Sequence, residues 1–421
     1  MEIYIDSLTL RQRKEDEMKG KKLLGLSGII FVAVMLLTNP FMVGFADAAP
    51  KTLKIGVISW LGWPLGLDLV EGVKILADVA NKQGGLDVGG EKYEIEIITH
   101  DSKMQHSVAK GAAERLVYQD KVQFILGDET VDAWLPVTEK NKVLVCAVSP
   151  APAILNPDYK YCYQGSAVPN QGATLWGWLG KNRPEIKTAV TTTPDNKIGH
   201  IETENVIKLA ELFGVKVLEG LFYPPDQKDF SAIGTKIKNL NPDVLVPKAG
   251  GPPRDAAIMK AAYQAGFKGI IFSPQGLTAS HVLHFAPIEA IEGFLGGMND
   301  TELEDPPPVA KAYIDAYTAK NGKWTDPDVL FLTTWYLLMA GIEKAQSVDP
   351  EKVKAALDKG ITFVSANGEA MTVTRPDEGN NRICDIVMAW NVKTITGGKA
   401  KKIDYITVEE AYEFNKKFRG W

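Results

Sequence analysis

The chain has 421 residues, 45% of them apolar and 24% charged, with a formal net charge of −5. That length suits about two domains of common size, and the composition is that of a soluble globular protein. Lysine and arginine form no dense cluster, which sets nucleic acid aside as a partner. Cys146, Cys162 and Cys384 lack metal-ligand spacing, which sets a zinc centre aside.

Lys19, Lys21 and Lys22 precede an uncharged, mostly apolar run over residues 23–46, which ends in Ala46-Asp47-Ala48. This basic start, apolar stretch and small-x-small end read as a secretory signal beginning at Met18 and cleaved after Ala48. Residues 1–48 are therefore expected to be an N-terminal extension and signal peptide. The run is long enough to span a bilayer as an uncleaved anchor. Asn39-Pro40 and Gly44 interrupt it, and the alanine motif follows at the right place, so cleavage is the preferred reading. Export permits disulfides. Cys146 and Cys162 lie in neighbouring strand-like segments and could pair, but three buried thiols is the reading favoured.

Beyond the signal, strand-like and helix-like segments alternate. Residues 53–59 read as a strand, 67–81 as a helix, 93–99 as a strand and 107–119 as a helix. Two further strands, 122–126 and 143–148, flank a helix near 133–141. The rhythm restarts with a strand at 186–191, a helix at 198–213, a strand at 216–219 and a helix at 230–240. A strand at 243–246, a helix at about 254–266 and a strand at 269–272 follow. Helices at 308–321, 329–344 and 350–358 come next, then strands at 371–374 and 382–390 and a last helix at 408–418. Two βα series imply two parallel sheets, each covered by helices on both faces, with a cleft between them.

Local motifs carry a resemblance. Leu53-Lys54-Ile55-Gly56-Val57-Ile58 opens the first strand, and Asn81-Lys82-Gln83-Gly84-Gly85-Leu86 precedes a strand ending in Asp101. Gly127-Asp128, Ser149-Pro150, Asp229-Phe230-Ser231 and Pro242-Asp243 follow in order. Together, over residues 52–395, they resemble the leucine/isoleucine/valine-binding proteins, the type I periplasmic-binding fold of ABC importers. The resemblance implies an α/β protein of two doubly wound, Rossmann-like lobes joined by a hinge. Lobe 1 is expected over residues 49–167 plus about 297–375, and lobe 2 over 168–296 plus about 376–421. It also implies a monomer that binds a small-molecule ligand, closes around it and docks on a membrane permease, in the periplasm or another extracytoplasmic space. A sensing module of the same fold coupled to a receptor is the alternative.

In open α/β sheets ligands lie beyond the carboxyl ends of the strands, and Gly127 and Gly250-Gly251 are expected there to let backbone approach a ligand. Amino-acid-binding relatives use a hydroxyl loop, an Ala-Thr pair, a Tyr-Gly pair and an acidic residue. These correspond here to Glu129 and Thr130, to Pro152 and Ala153 after Ser149, to Ile198-Gly199, and to Arg254, with Asp255 one position away. The pattern thus loses a hydroxyl, loses the aromatic lid and reverses a charge. A guanidinium repels an ammonium and attracts a carboxylate, often bidentately, and Arg254 sits near a helix start, where anions are favoured. Trp60, Trp63 and Leu65 follow the first strand. The candidate ligand contacts are therefore Trp60, Trp63, Leu65, Glu129, Thr130, Ser149, Pro152 and Ala153 in the first lobe, and Ile198, Gly251, Arg254 and Gln275 in the second.

An aromatic-walled cleft with one arginine suits an apolar carboxylate such as an aromatic acid or branched oxo-acid. Each residue has a plainer role open to it: Trp60 and Trp63 as packing, Thr130 as a helix cap, Arg254 as a solvated residue or partner of Asp255. Trp134 reads as core. His281 and His284 share a helical face without a third ligand, so no metal is expected. No nucleophile elbow, dinucleotide loop or phosphate loop is present, so neither an enzyme nor a cofactor is expected.

Overall fold

The computed structural model describes residues 50–148, 152–274, 279–297 and 299–421. The signal-like segment, Ser149 and Gln275 lie outside the described residues, as do the side chains of Pro152, Ala153 and His281.

Strand β1 (Lys51–Ser59) is buried from Ile55 onward and leads into α1 (Pro64–Lys82), whose first residue is proline, a position where the missing N–H goes unneeded. The helix ends at Gly84 and Gly85, whose φ values of 96° and 89° are left-handed, as a reversal into a strand requires. Asn81 clamps that strand, its Nδ2 donating to Ile95 O at 2.9 Å and its Oδ1 accepting from Ile95 N at 2.8 Å. There follow β2 (Leu86–Val88), β3 (Glu91–Asp101), α2 (His106–Tyr118), β4 (Phe124–Gly127), α3 (Leu135–Lys140), β5 (Leu144–Ala147) and β6 (Cys162–Gln164). They form a six-stranded sheet, order β2-β3-β1-β4-β5-β6, parallel except for β2. β4 and β5 are buried throughout, as strands covered on both faces must be.

The second series is α4 (Val168–Asn182), β7 (Thr188–Pro194), α5 (Lys197–Leu212), β8 (Lys216–Tyr223), α6 (Ser231–Leu240), β9 (Val244–Pro247), α7 (Gly251–Gln264) and β10 (Ile270–Ser273). Two short helices, α8 (Ala279–Leu283) and α9 (Ile288–Ile291), precede β11 (Leu295–Gly296). The chain then returns to the first lobe with α10 (Pro308–Asn321), which packs on α1, and α11 (Thr333–Ala345), which packs on β5 and on α12 (Pro350–Leu357). Strands β12 (Thr362–Ser365), β13 (Gly368–Arg375) and β14 (Asn380–Met388) form an antiparallel three-stranded sheet. β15 (Trp390–Thr396) and β16 (Lys399–Ile406) complete the second large sheet, order β16-β15-β11-β10-β9-β7-β8. The terminal α13 (Val408–Arg419), capped by Thr407 through Glu410 N, packs on α4 and β14. The molecule is thus an α/β protein of two lobes, as its segment order implied.

Two motifs of the resemblance have structural work. Asp243 Oδ2 accepts from Lys187 N, Thr188 N and Thr188 Oγ1 at 2.8–2.9 Å, pinning the start of β7 to β9. Asp229 Oδ1 accepts from Ser231 N at 2.9 Å and from its hydroxyl at 2.6 Å, opening α6.

Three of the differences from the sequence expectation have a clear physical reason. Helix α4 was not anticipated; it carries Pro169, Gly172, Gly177 and Gly180, residues that weaken a helical signal. The packing explains two of the glycines: a Cβ at Gly177 would lie 2.3 Å from the Phe414 ring, and one at Gly180 2.3 Å from Phe213 O. The expected strand over 382–390 is broken at Ala389, where the chain leaves the small sheet for the large one. The β15–β16 hairpin was missed because Lys399, Lys401 and Lys402 make β16 polar, as suits a strand at a sheet edge. All three cysteines are buried free thiols.

Candidate functional site

The loops after β1, β3 and β4 form the strand tips of the first lobe. Ser59 donates its hydroxyl to Gly66 O at 3.0 Å, holding residues 60–63 against the start of α1. A Cβ at Gly66 would stand 2.1 Å from Trp60 O, so only glycine allows this approach. Trp60 and Trp63 are half-buried, with ring centroids 6.0 Å apart; Trp63 also meets the buried Phe331 edge-on at 6.0 Å. Trp63 and Leu65 pack against the core, whereas Trp60 folds over Gly62, whose Cβ would stand 2.7 Å from its indole nitrogen.

Asp101 and Asp128 organise the neighbouring loops. Asp101 Oδ1 accepts from Leu61 N at 3.1 Å and Lys103 N at 2.9 Å, joining the β1 and β3 tips. Asp128 accepts the Ser102 hydroxyl at 2.6 Å, Thr130 N at 3.0 Å and the Thr130 hydroxyl at 2.6 Å. The Thr130 proton is therefore engaged within its own loop; Thr130 makes no side-chain helix cap and is buried, 2% exposed. Glu129 is half-buried and takes no hydrogen bond from the described residues. Burial, with Asp128 beside it, holds its carboxyl above the usual range. Pro152 and Ala153 lie in a 3₁₀ turn after β5.

The expected role of Gly127 is corrected. A Cβ there would lie 2.6 Å from the ring of Trp134, which is fully buried, so this glycine makes room for a core tryptophan rather than for a ligand.

In the second lobe, Asn196 caps α5 by accepting from Gly199 N at 2.9 Å. Ile198, one residue into the helix, is 65% exposed. At the tip of β9, Lys248 pairs with Glu202 at 3.2 Å, and Ala249 and Gly251 both have positive φ, 61° and 72°. Such a conformation in an alanine is strained, and strain of this kind gathers at functional sites. Gly250 is tight rather than open: a Cβ would lie 2.4 Å from both Asp255 Oδ1 and Tyr223 Oη. Arg254, in the first turn of α7, is exposed; its Nη1 donates to Gly250 O at 3.3 Å, and it forms no ion pair with Asp255. Asp255 points inward instead, 1% exposed. Its Oδ1 and the Tyr223 hydroxyl lack partners among the described residues. Burial raises the Asp255 carboxyl to about 7, against the opposing Gly250 N–H.

The structure thus gathers Trp60, Trp63, Glu129 and Thr130 at one set of strand tips and Ile198, Gly251 and Arg254 at the other. Sequence reasoning did not assign Asp101, Asp128, Tyr223 or Lys248 to the site. Their signal was position, since each ends or directly follows a strand.

Residues 52–391 match the family model described as periplasmic binding protein. The chain is similar to the leucine-, isoleucine-, valine-, threonine- and alanine-binding protein of Pseudomonas aeruginosa, 28% identical over 340 residues covering 77% of this chain and 87% of that one. Among solved structures it is similar to a leucine-binding protein from Thermotoga maritima, at 26% identity and TM-score 0.63, covering 85% of this chain and 99% of that one. A solute-binding protein of an ABC transporter from Rhodopseudomonas palustris, solved with p-hydroxybenzoic acid, shares the fold at TM-score 0.67 and 20% identity, covering 86% and 99% of the two chains.

Proposed function

Because the chain belongs to the periplasmic binding protein family, we propose that it is the capture subunit of an ABC importer for an apolar carboxylate, such as an aromatic acid or a branched oxo-acid. It is a solute-binding protein of the ABC transporter type and not an enzyme, and its family places it outside the cytoplasm. Among the described residues no helix is long and apolar enough to cross a membrane.

The observation that carries the ligand class is Arg254. It is an exposed guanidinium on the first turn of a helix, beside a strained strand tip, with no carboxylate partner among the described residues. Guanidinium and helix dipole both favour an anion there. Trp60 and Trp63 supply apolar wall, and the ligand docks on one lobe before the other closes over it. Fold likeness does not choose the ligand, since proteins of this fold carry both leucine and benzoate names. One observation favours a second reading, an α-amino acid: the unpartnered carboxyl of Glu129 would pair with an ammonium.

Calorimetry on residues 49–421 with benzoate, 4-methyl-2-oxopentanoate, benzamide and leucine separates the two. Saturable binding of either carboxylate, absent for benzamide and weakened at least tenfold by Arg254→Ala, is the expected result. Binding of leucine alone, abolished by Glu129→Gln and indifferent to Arg254→Ala, would overturn the carboxylate reading.

A further inference from the structure

A cavity of about 620 Å³ lies away from the strand tips, where the three-stranded sheet meets the first lobe. Its walls are the loop before β6, one face of α12 and the β13–β14 hairpin. Three cations line it, Lys160, Lys354 and Arg382, against one carboxylate, Asp358. That carboxylate is already committed. Lys354 pairs with it, Tyr163 Oη donates to it at 2.7 Å, and Arg382 Nη1 stands 3.6 Å away.

Arg382 is held rigidly. Its Nη1 donates to Lys160 O at 2.9 Å, its Nη2 donates to Tyr159 O at 2.7 Å and Cys162 O at 2.5 Å, and its guanidinium lies over the Tyr163 ring at 4.7 Å. Its Nε is buried and lacks a partner among the described residues. The Lys160 ammonium is exposed and has no carboxylate partner among those residues. The Arg382 donors are spent on carbonyls and on Asp358, so its role is fixed charge; with Asp358 shared by Lys354, Tyr163 and Arg382 and the Lys160 ammonium free, the concavity keeps net positive charge, which attracts oxygen anions.

We propose that this cavity is a second binding site, for a small polar anion bearing carboxylate or phosphate oxygens, with Lys160 and Asn381 at its mouth and Arg382 as its fixed wall. It is a wide-mouthed concavity with room for an ion of several heavy atoms rather than a single water. The proposal is independent of the ligand held at the strand tips.

Its test is thermal stability and calorimetry with citrate and with inorganic phosphate, at ionic strength fixed with sodium chloride. Saturable stabilisation by at least one of the two is expected, and which one responds identifies the oxygen chemistry. Lys160→Glu and Asn381→Asp change exposed side chains and should weaken binding at least tenfold with the unliganded melting temperature unchanged. Arg254→Ala, at the strand tips, should leave the response intact. No saturable response to either anion, an equal response in Lys160→Glu, or loss of response in Arg254→Ala would each overturn the proposal.

Discussion

Lys393 of β15 and Asp300, in the segment linking β11 to α10, form an ion pair of 2.6 Å with both side chains out of water, 0% and 1% exposed. Asn391 Nδ2 donates to Asp300 Oδ2 at 2.6 Å, and Asp300 N donates to Asn367 Oδ1 at 3.2 Å. Asp300 thus joins a crossover segment to both sheets, its carboxylate holding β15 of the large sheet and its backbone N–H holding the β12–β13 turn of the small one. Removing a single partner strands a buried charge, which costs about 3–5 kcal/mol. Lys393→Met should lower unfolding stability by that order, while Lys393→Met with Asp300→Leu should recover part of the loss. Urea unfolding of both variants measures this; a double variant as unstable as Lys393→Met alone would contradict it.

Asp255 predicts a pH dependence. Its folded-state carboxyl sits at about 7, above the ordinary 3.8, because burial disfavours its charge. Between those values the folded protein holds a proton that the unfolded chain has released. Stability attributable to this group therefore falls as pH rises from about 4 to about 7, and levels off above. Asp255→Asn should stabilise the protein relative to the parent by more at pH 8 than at pH 5. Parallel unfolding curves at the two values would show that the carboxyl titrates normally.

The two tryptophans after β1 should separate in effect. Trp63 packs on Phe331 and the core, whereas Trp60 rests over Gly62. Trp63→Ala should reduce stability by about 3 kcal/mol, as large-to-small changes in packed sites do. Trp60→Ala should leave unfolding nearly unchanged and weaken ligand binding several-fold. Comparing melting temperature with calorimetric affinity for each variant distinguishes these outcomes.

The cysteines should be inert. Burial pushes all three thiols up, Cys384 to about 12, so almost no nucleophilic thiolate exists at neutral pH. A thiol reagent should label none in the native protein and all three in denaturant. Rapid native labelling of any one would reveal local opening that the packing does not suggest.

Much of the fold was legible because its signals are local. The apolar run of β1, the helical spacing of α1 and the reversal at Gly84-Gly85 each depend on residues close in sequence. Helix α4 was not legible, because its glycines are chosen by Phe414 and Phe213, which lie far along the chain. The site divides in the same way. Strand-tip loops were located from element order, yet Gly127 was misread, since the ring filling the space beside it comes from Trp134. Thr130 was identified as a hydroxyl at a strand tip, but the direction of its proton, toward Asp128, is a matter of geometry.

By itself the sequence determined a chain of alternating strands and helices in two lobes and the order of its strand-tip loops, because hydrophobic period and turn chemistry act over a few residues. Only the tertiary structure decided which charges are matched. Asp255 turns inward while Arg254 stays exposed, and Lys393 finds Asp300 ninety-three positions away. Adjacent residues on a helix point in different directions, and buried charges must be met by partners that only the folded chain brings close.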